Sequence, residues 1–311
     1  MTRPKADVYS PHIIPTPTHT GPHTHWLRRE ELVPEVKDIE GYADREPFTL
    51  EQLASHTSGL DREPSSVDHS VGPPSHWEEK TLEGIKTAGW AFEPGKGWLY
   101  CNIGYAILGL AVSRAARAHG KADGFIELLQ QRLFDPLGMS SSGYLVPEAD
   151  SHRLAEGHIV KKDGTLSSLP KRDEAGRGYR VPNGGVYSTL EDLASYVGML
   201  TASGPTAVLS AESLADMAKP RAQTAGPSAG SGASSYGLGL FSRDGTDVLY
   251  HGGATPGFTC NFAYDPSGWG VVILRNYAAG AGEPARTSLG NVCIELTEAL
   301  VKAAGEGRAR L

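Results

Sequence analysis

Cysteine is scarce in this chain: Cys101, Cys260 and Cys293 are the only three, an odd number without the close spacing of a thiolate metal site. That excludes a disulfide framework and points to a reducing, cytoplasmic setting. Long apolar runs are missing too. Stretches such as 103–112 and 271–274 fall far short of the roughly 20 residues a membrane-spanning helix needs, so no membrane partner is expected. No basic patch followed by an apolar stretch opens the sequence, so nothing in it resembles a secretory leader. Positive charge is in deficit, with 29 Lys and Arg against 36 Asp and Glu and a formal net charge of -7. No basic stripe could neutralise a row of phosphates, and nucleic acid is not an expected partner. There is no internal repeat. What the chain does have is length, since 311 residues suffice for one large domain or two intimately packed ones.

Residues 1–25 hold five prolines and four histidines and no apolar periodicity, which predicts a disordered arm. His12, His19, His23 and His25 could bind a transition metal, giving an adaptor reading, but a disordered His-rich arm is the commoner case. Neither metal nor cofactor is expected. Residues 26–311 are expected to form one domain, helical over about 48–221, with a sheet and closing helix over about 236–304. Thr49 and Gln52 have the spacing of a capping box, in which each side chain satisfies a backbone N–H at a helix start. Ser188 and Glu191 repeat that spacing. Ile103, Ala106, Ile107, Leu110 and Ala111 keep the rhythm of a buried helix, and Phe125, Leu128, Leu129 and Leu133 repeat it. Ala222 to Ser235 is Gly/Ser/Ala-rich and predicts a mobile loop. Beyond it, β-rich runs over 236–241, 248–250, 258–264 and 270–276 are joined by Arg243-Asp244-Gly245 and Asp265-Pro266-Ser267-Gly268, whose turn chemistry predicts antiparallel pairing. Ser288 to Ala304 predicts a helix lying across that sheet on Leu289, Val292, Leu296 and Leu300.

Six short blocks stand in a fixed order along this framework. They are His56-Thr57-Ser58-Gly59, Tyr100-Cys101-Asn102, Pro136-Leu137-Gly138-Met139, Asn183-Gly184-Gly185, Tyr236-Gly237-Leu238-Gly239 and His251-Gly252-Gly253-Ala254. Each is weak alone, but the ordered series resembles the serine β-lactamase and penicillin-binding hydrolase family, which also contains esterases and acyltransferases. The match runs from about Glu31 to Asn276. The resemblance implies an α+β fold with an antiparallel sheet, a C-terminal helix across it and a helical insertion. It also implies acyl transfer from a small ester, amide or lactam. By the same resemblance Tyr100, Asn102 and His251 are the candidate catalytic residues, with His251 a candidate cation beside Tyr100. Gly252, Gly253 and Ala254 are the candidate substrate-binding strand, and the Ala254 N–H supplies half of an oxyanion hole. The oligomeric state is not legible.

One part of the pattern is missing. A serine hydroxyl needs a base to take its proton, and the family places Ser-x-x-Lys on a buried helix before the His-Thr-Ser-Gly block. Only Lys171 has a serine three residues earlier, Ser168, but Pro170 intervenes and the pair follows Tyr100. The chain is therefore expected to be an N-terminally truncated, impaired member. The alternative is a non-catalytic ligand-binding pseudoenzyme of the same fold. Loss of the first strands would also leave the run 270–276 as an open, hydrophobic sheet edge. Gly226-Pro227-Ser228-Ala229-Gly230 spells a nucleophile elbow without its strand and helix, so it is read as loop composition. His56 is read as a structural residue at a helix end, and Cys101 as an inert buried thiol.

Overall fold

The computed structural model describes residues 29–161, 164–169, 176–201, 208–224, 232–278 and 288–308. The arm over 1–25, Lys171 and the 226–230 segment lie outside them. Among the described residues the helices are α1 (Arg29–Leu32), α2 (Leu50–Ala54), α3 (Trp77–Lys86), α4 (Asn102–Ala118), α5 (Phe125–Leu129), α6 (Val181–Gly184), α7 (Leu190–Leu200), α8 (Ala211–Ala218) and α9 (Leu289–Arg308). The strands are β1 (His158–Val160), β2 (Leu166–Ser168), β3 (Ala222–Gln223), β4 (Ser235–Tyr236), β5 (Phe241–Ser242), β6 (Leu249–Thr255), β7 (Phe258–Asp265), β8 (Trp269–Arg275) and β9 (Tyr277–Ala278). Strands β3 to β8 form one antiparallel sheet in sequence order, and β2-β1-β9 form a second, small sheet. The architecture is the α+β arrangement expected, with helices on one face of the main sheet and α9 on the other.

Local chemistry accounts for the element ends. Thr49 and Gln52 make the reciprocal capping box at the start of α2. The expected box at Ser188 is instead capped by Thr189, whose Oγ1 accepts from Asp192 N. Ser188 Oγ lies 2.6 Å from Ser142 Oγ and is held there by tertiary contact, so local spacing lost to packing. A π-turn over Gln130–Phe134 follows α5 and buries Phe134, whereas Phe125, Leu128 and Leu129 are only partly buried. The run 236–241 is not one strand. It reverses between β4 and β5, with Gly237 N–H donating to the Leu240 carbonyl and Gly239 at φ +77°. A β-carbon at Gly237 would overlap the Met217 carbonyl oxygen, so the turn is pinned against the end of α8. The stretch 222–235, expected to be wholly loop, begins and ends in paired strands, Gln223 opposite Ser235.

Three buried clusters hold the layers together. Leu53, Ile103, Ile107 and Leu110 centre the first, among α2, α3 and α4. Phe134, Met139, Val197, Leu200, Leu249 and Tyr264 join helices to sheet. Tyr236, Phe241, Tyr250, Ala263, Cys293 and Ile294 join sheet to α9. Each fully buried aliphatic side chain contributes about 1.5–3 kcal/mol of transfer free energy. In α9 the buried side chains are those of Cys293, Ile294 and Thr297, not the expected face, and Leu296 and Leu300 are exposed. On that face α9 comes close to the sheet backbone: Cys293 Sγ lies 3.3 Å from the Val271 carbonyl oxygen, and Thr297 Oγ1 lies 3.4 Å from that of Ala263. No helix among the described residues is long and apolar enough to cross a membrane.

Candidate functional site

His56 packs behind the site, its ring against those of Tyr100, Tyr105 and Tyr236. After α2 the chain turns with Thr57 N–H on the Gln52 carbonyl and His56 N–H on that of Leu53, a Schellman closure that puts His56 in the left-handed region at φ +60°. Its ring is thereby driven inward, where Nδ1 accepts from Cys101 N–H at 3.0 Å. That contact assigns the imidazole proton to Nε2, which is buried without a partner. Burial, with the neighbouring His251 and Arg62, holds His56 well below the usual histidine range. Through the Cys101 contact His56 holds the strand-like lead into α4 and with it Tyr100, whose ring centre is 4.2 Å away. Cys101 caps α4, its Sγ accepting from Gly104 N–H, and burial pushes the thiol up to about 12. A thiol so shifted stays protonated at neutral pH, which disfavours it as a nucleophile.

Tyr100 and His251, far apart in the chain, meet with ring centres 6.1 Å apart and line one cavity of about 220 Å³. Asn102, in the first turn of α4, lines the same cavity. So do residues that the sequence reading did not assign: Tyr105 from α4, Asn183 from α6, Tyr196 from α7, Tyr236 from β4 and Phe262 from β7. Phe262 is the cross-strand partner of His251, so both project from the helical face of the sheet. Asn183 and Tyr236 belong to blocks already quoted, and Tyr105 follows Asn102 by one helical turn on the same face. Those blocks were the available signal.

The electrostatics correct one expectation. Burial pushes His251 down to about 4, opposed by a hydrogen bond to the Gly252 backbone, which favours a neutral imidazole over the expected cation beside Tyr100. Its Nε2 lies 3.3 Å from the Tyr236 hydroxyl. The cation near Tyr100 is Arg62, whose guanidinium carbon sits 4.9 Å over the ring. Burial nevertheless holds the Tyr100 hydroxyl above its ordinary value, with Arg62 opposing. Asn102 does not point its amide at open space, since Nδ2 donates to Glu63 Oε1 at 2.5 Å. Glu63 also accepts from the Tyr179 hydroxyl and from Arg180.

Gly252, Gly253 and Ala254 continue β6 beyond His251 and do not line the cavity. Gly253 and Ala254 are exposed. Gly252 is explained from within the sheet, because a β-carbon there would overlap Asn261 Oδ1 on β7. Ser168 lies in exposed β2, its Oγ 3.4 Å from His158 Nδ1 and away from the cavity. Among the described residues no serine, threonine, cysteine or lysine lines the cavity.

The family model described as Beta-lactamase matches residues 24–289. Penicillin-binding protein 4 of Amycolatopsis lactamdurans is 29% identical over 245 residues, 74% of this chain and 60% of that protein. The D-alanyl-D-alanine-carboxypeptidase/endopeptidase AmpH of Escherichia coli (strain K12) is 31% identical over 157 residues, 49% of this chain and 36% of that one. The chain spans from 24% to 60% of the length of the curated relatives it matches. Among solved structures, the beta-lactamase/D-alanine carboxypeptidase from Yersinia pestis superposes with a TM-score of 0.62 at 24% identity, covering 81% of this chain and 70% of that one. The D-amino acid amidase from Ochrobactrum anthropi SV3 complexed with D-phenylalanine gives 0.62 at 22%, covering 89% and 76%. At these identities the likeness is one of fold.

Proposed function

Because the chain belongs to the Beta-lactamase family, we propose that the cavity of Tyr100, Asn102 and His251 is the acyl-compound site of a serine hydrolase or acyltransferase whose turnover is impaired in this chain. The ligand is a small ester, amide or lactam, a range supported by relatives named as a carboxypeptidase, a lovastatin esterase and an amidase. The observation that carries the reading is the convergence of Tyr100 and His251 on one cavity with Asn102 in its wall. The composition of the lining supports impairment. A covalent acyl step needs a nucleophile with a base in reach, and among the described residues the cavity lining offers neither a hydroxymethyl nor a thiol nor an amine. Removing a nucleophile normally leaves only the rate that binding and oxyanion donors supply.

The second reading, a non-catalytic ligand-binding protein of the same fold, is favoured by the engagement of Asn102 with Glu63 and by the raised Tyr100 hydroxyl. Labelling tests both. The 311-residue chain is expected to take up neither a fluorophosphonate probe nor a fluorescent penicillin covalently. Slow ester turnover that Tyr100→Phe abolishes would favour the impaired hydrolase, and reversible binding without turnover the ligand-binding reading. Stoichiometric labelling mapped to Ser168, Ser228 or Cys101 would overturn the impairment.

A further inference from the structure

The composition of the cavity wall fixes more than its place in the fold. Among the described residues, six of the ten that line it carry aromatic rings, and none of the ten carries a formal charge at neutral pH. We propose that the cavity selects an uncharged ligand bearing a single aromatic ring, such as an arylacyl ester or amide, and discriminates against the same compound with a free carboxylate. This rests on the reading of the cavity as the ligand site and adds the charge and shape of what it takes.

Size comes first. An apolar cavity of about 150 Å³ admits benzene, so about 220 Å³ holds one six-membered ring with room for a short acyl linker. Tyr196 and Phe262 stand edge to face, ring centres 5.8 Å apart, so a third ring entering between them and Tyr100 meets the offset and edge contacts that aromatic groups prefer. Charge comes second. A carboxylate entering this wall would lose its hydration and find no cation in exchange. His251, the one lining residue able to become cationic, stays neutral until about pH 4. Arg180 is held by Glu63, and Arg62 is exposed, lies over the Tyr100 ring and is not part of the lining. Neutral donors are few as well, since the Tyr105 hydroxyl donates to the Ala54 carbonyl and the Tyr236 hydroxyl pairs with His251.

Three probes separate these contributions in equilibrium binding to the full chain at pH 7.5: phenylacetylglycine methyl ester, phenylacetylglycine, and acetylglycine methyl ester. The aryl ester is expected to bind at least tenfold more tightly than either of the others, and His251→Lys to reverse the preference in favour of the acid while His251→Gln does not. If His251→Lys does not fold, judged by circular dichroism, Asn183→Lys places the charge elsewhere in the lining and is expected to do the same. Equal or tighter binding of the acid by the unaltered chain overturns the charge selection and leaves the site reading standing. Equal binding of the two esters overturns the ring selection alone. Absence of binding by all three probes, or an ester affinity that no lining variant alters, removes the site reading and this inference with it.

Discussion

Asn102 and Glu63 are joined side chain to side chain at 2.5 Å, and this contact ties the start of α4 to the loop that precedes α3. The Asn102 N–H reinforces it by donating to the Arg62 carbonyl at 2.8 Å. Tyr179 and Arg180 reach the same carboxylate from the turn before α6, so one acidic group gathers three segments around the cavity wall.

Glu63→Ala is therefore expected to destabilise the chain by about 1–3 kcal/mol, because three donors lose their acceptor at once. Glu63→Gln should cost less. Burial raises the Glu63 carboxyl, but the hydrogen bonds from Tyr179, Asn102 and Arg180 outweigh it and leave it lowered from 4.5. Its contribution is thus complete above the unfolded-state value of 4.5 and is lost as pH falls through the lower folded-state value. Urea midpoints of the three proteins at pH 7 and pH 4 check both statements. Identical midpoints at pH 7 would reduce the contact to a surface pairing.

The sequence made α4 legible because its apolar rhythm is unbroken and its first turn carries a recognisable block. It made Tyr100, Asn102 and His251 legible as members of blocks, though only the fold brings them together. Glu63 and Arg180 were not legible, since nothing in local periodicity says that the 61–65 loop folds back onto α4. The buried face of α9 was hidden for another reason. That helix carries two apolar stripes, one through Leu289, Val292, Leu296 and Leu300 and one through Cys293, Ile294 and Thr297, and the choice between them is made by how closely each lets the sheet approach. The charge of His251 was hidden because sequence alone does not reveal how far burial lowers an imidazole.

Two histidines make stability depend on pH. Burial lowers both His251, to about 4, and His56, well below 6.5. The unfolded chain takes up a proton at each as pH falls through about 6.5, while the folded chain does not until far lower pH. Stability is therefore full above pH 6.5 and declines below it, by at most about 1.4 kcal/mol per pH unit for each histidine. Denaturation midpoints between pH 7.5 and pH 5 should fall for the unaltered chain and fall less steeply for His251→Gln. Parallel profiles would mean that His251 titrates normally in the folded state.

Gly252 and Asn261 form a cross-strand pair on β6 and β7. The overlap between an added β-carbon and Asn261 Oδ1 predicts that Gly252→Ala costs about 1–3 kcal/mol through overpacking. Shortening the partner should relieve it, so Gly252→Ala combined with Asn261→Ala is expected to be less destabilised than the sum of the single changes. Strict additivity in chemical denaturation would show that the glycine is required for another reason, such as a ligand lying along β6.

Strand β8 ends the main sheet: β7 bonds one edge, and among the described residues no strand takes the other. The sequence expectation of an open edge over 270–276 agrees, among the described residues, with the pairing of β8, though Asn276 at its end accepts from His158 N–H, and the neighbourhood makes that edge adhesive. Trp269 and Leu274 are each 39% exposed, and a groove of about 460 Å³ between β8 and α7 is lined by Leu190, Ala194, Val197 and Val272. On the opposite face of the sheet, α9 exposes Leu296 and Leu300. An unpaired edge with apolar side chains beside it is a template for a second copy of the chain. Self-association that rises with concentration is expected in sedimentation experiments, and Leu274→Lys, which places a charge along the edge, should weaken it at least tenfold. Hydrogen exchange reads the same edge directly. At low concentration the β8 amides that point away from β7 should exchange rapidly, and at high concentration they should become protected in the unaltered chain but not in Leu274→Lys. Full protection of Val271 to Leu274 in a dilute monomer would mean that another segment of the same chain covers the edge, and the expectation of self-association would then fail with it.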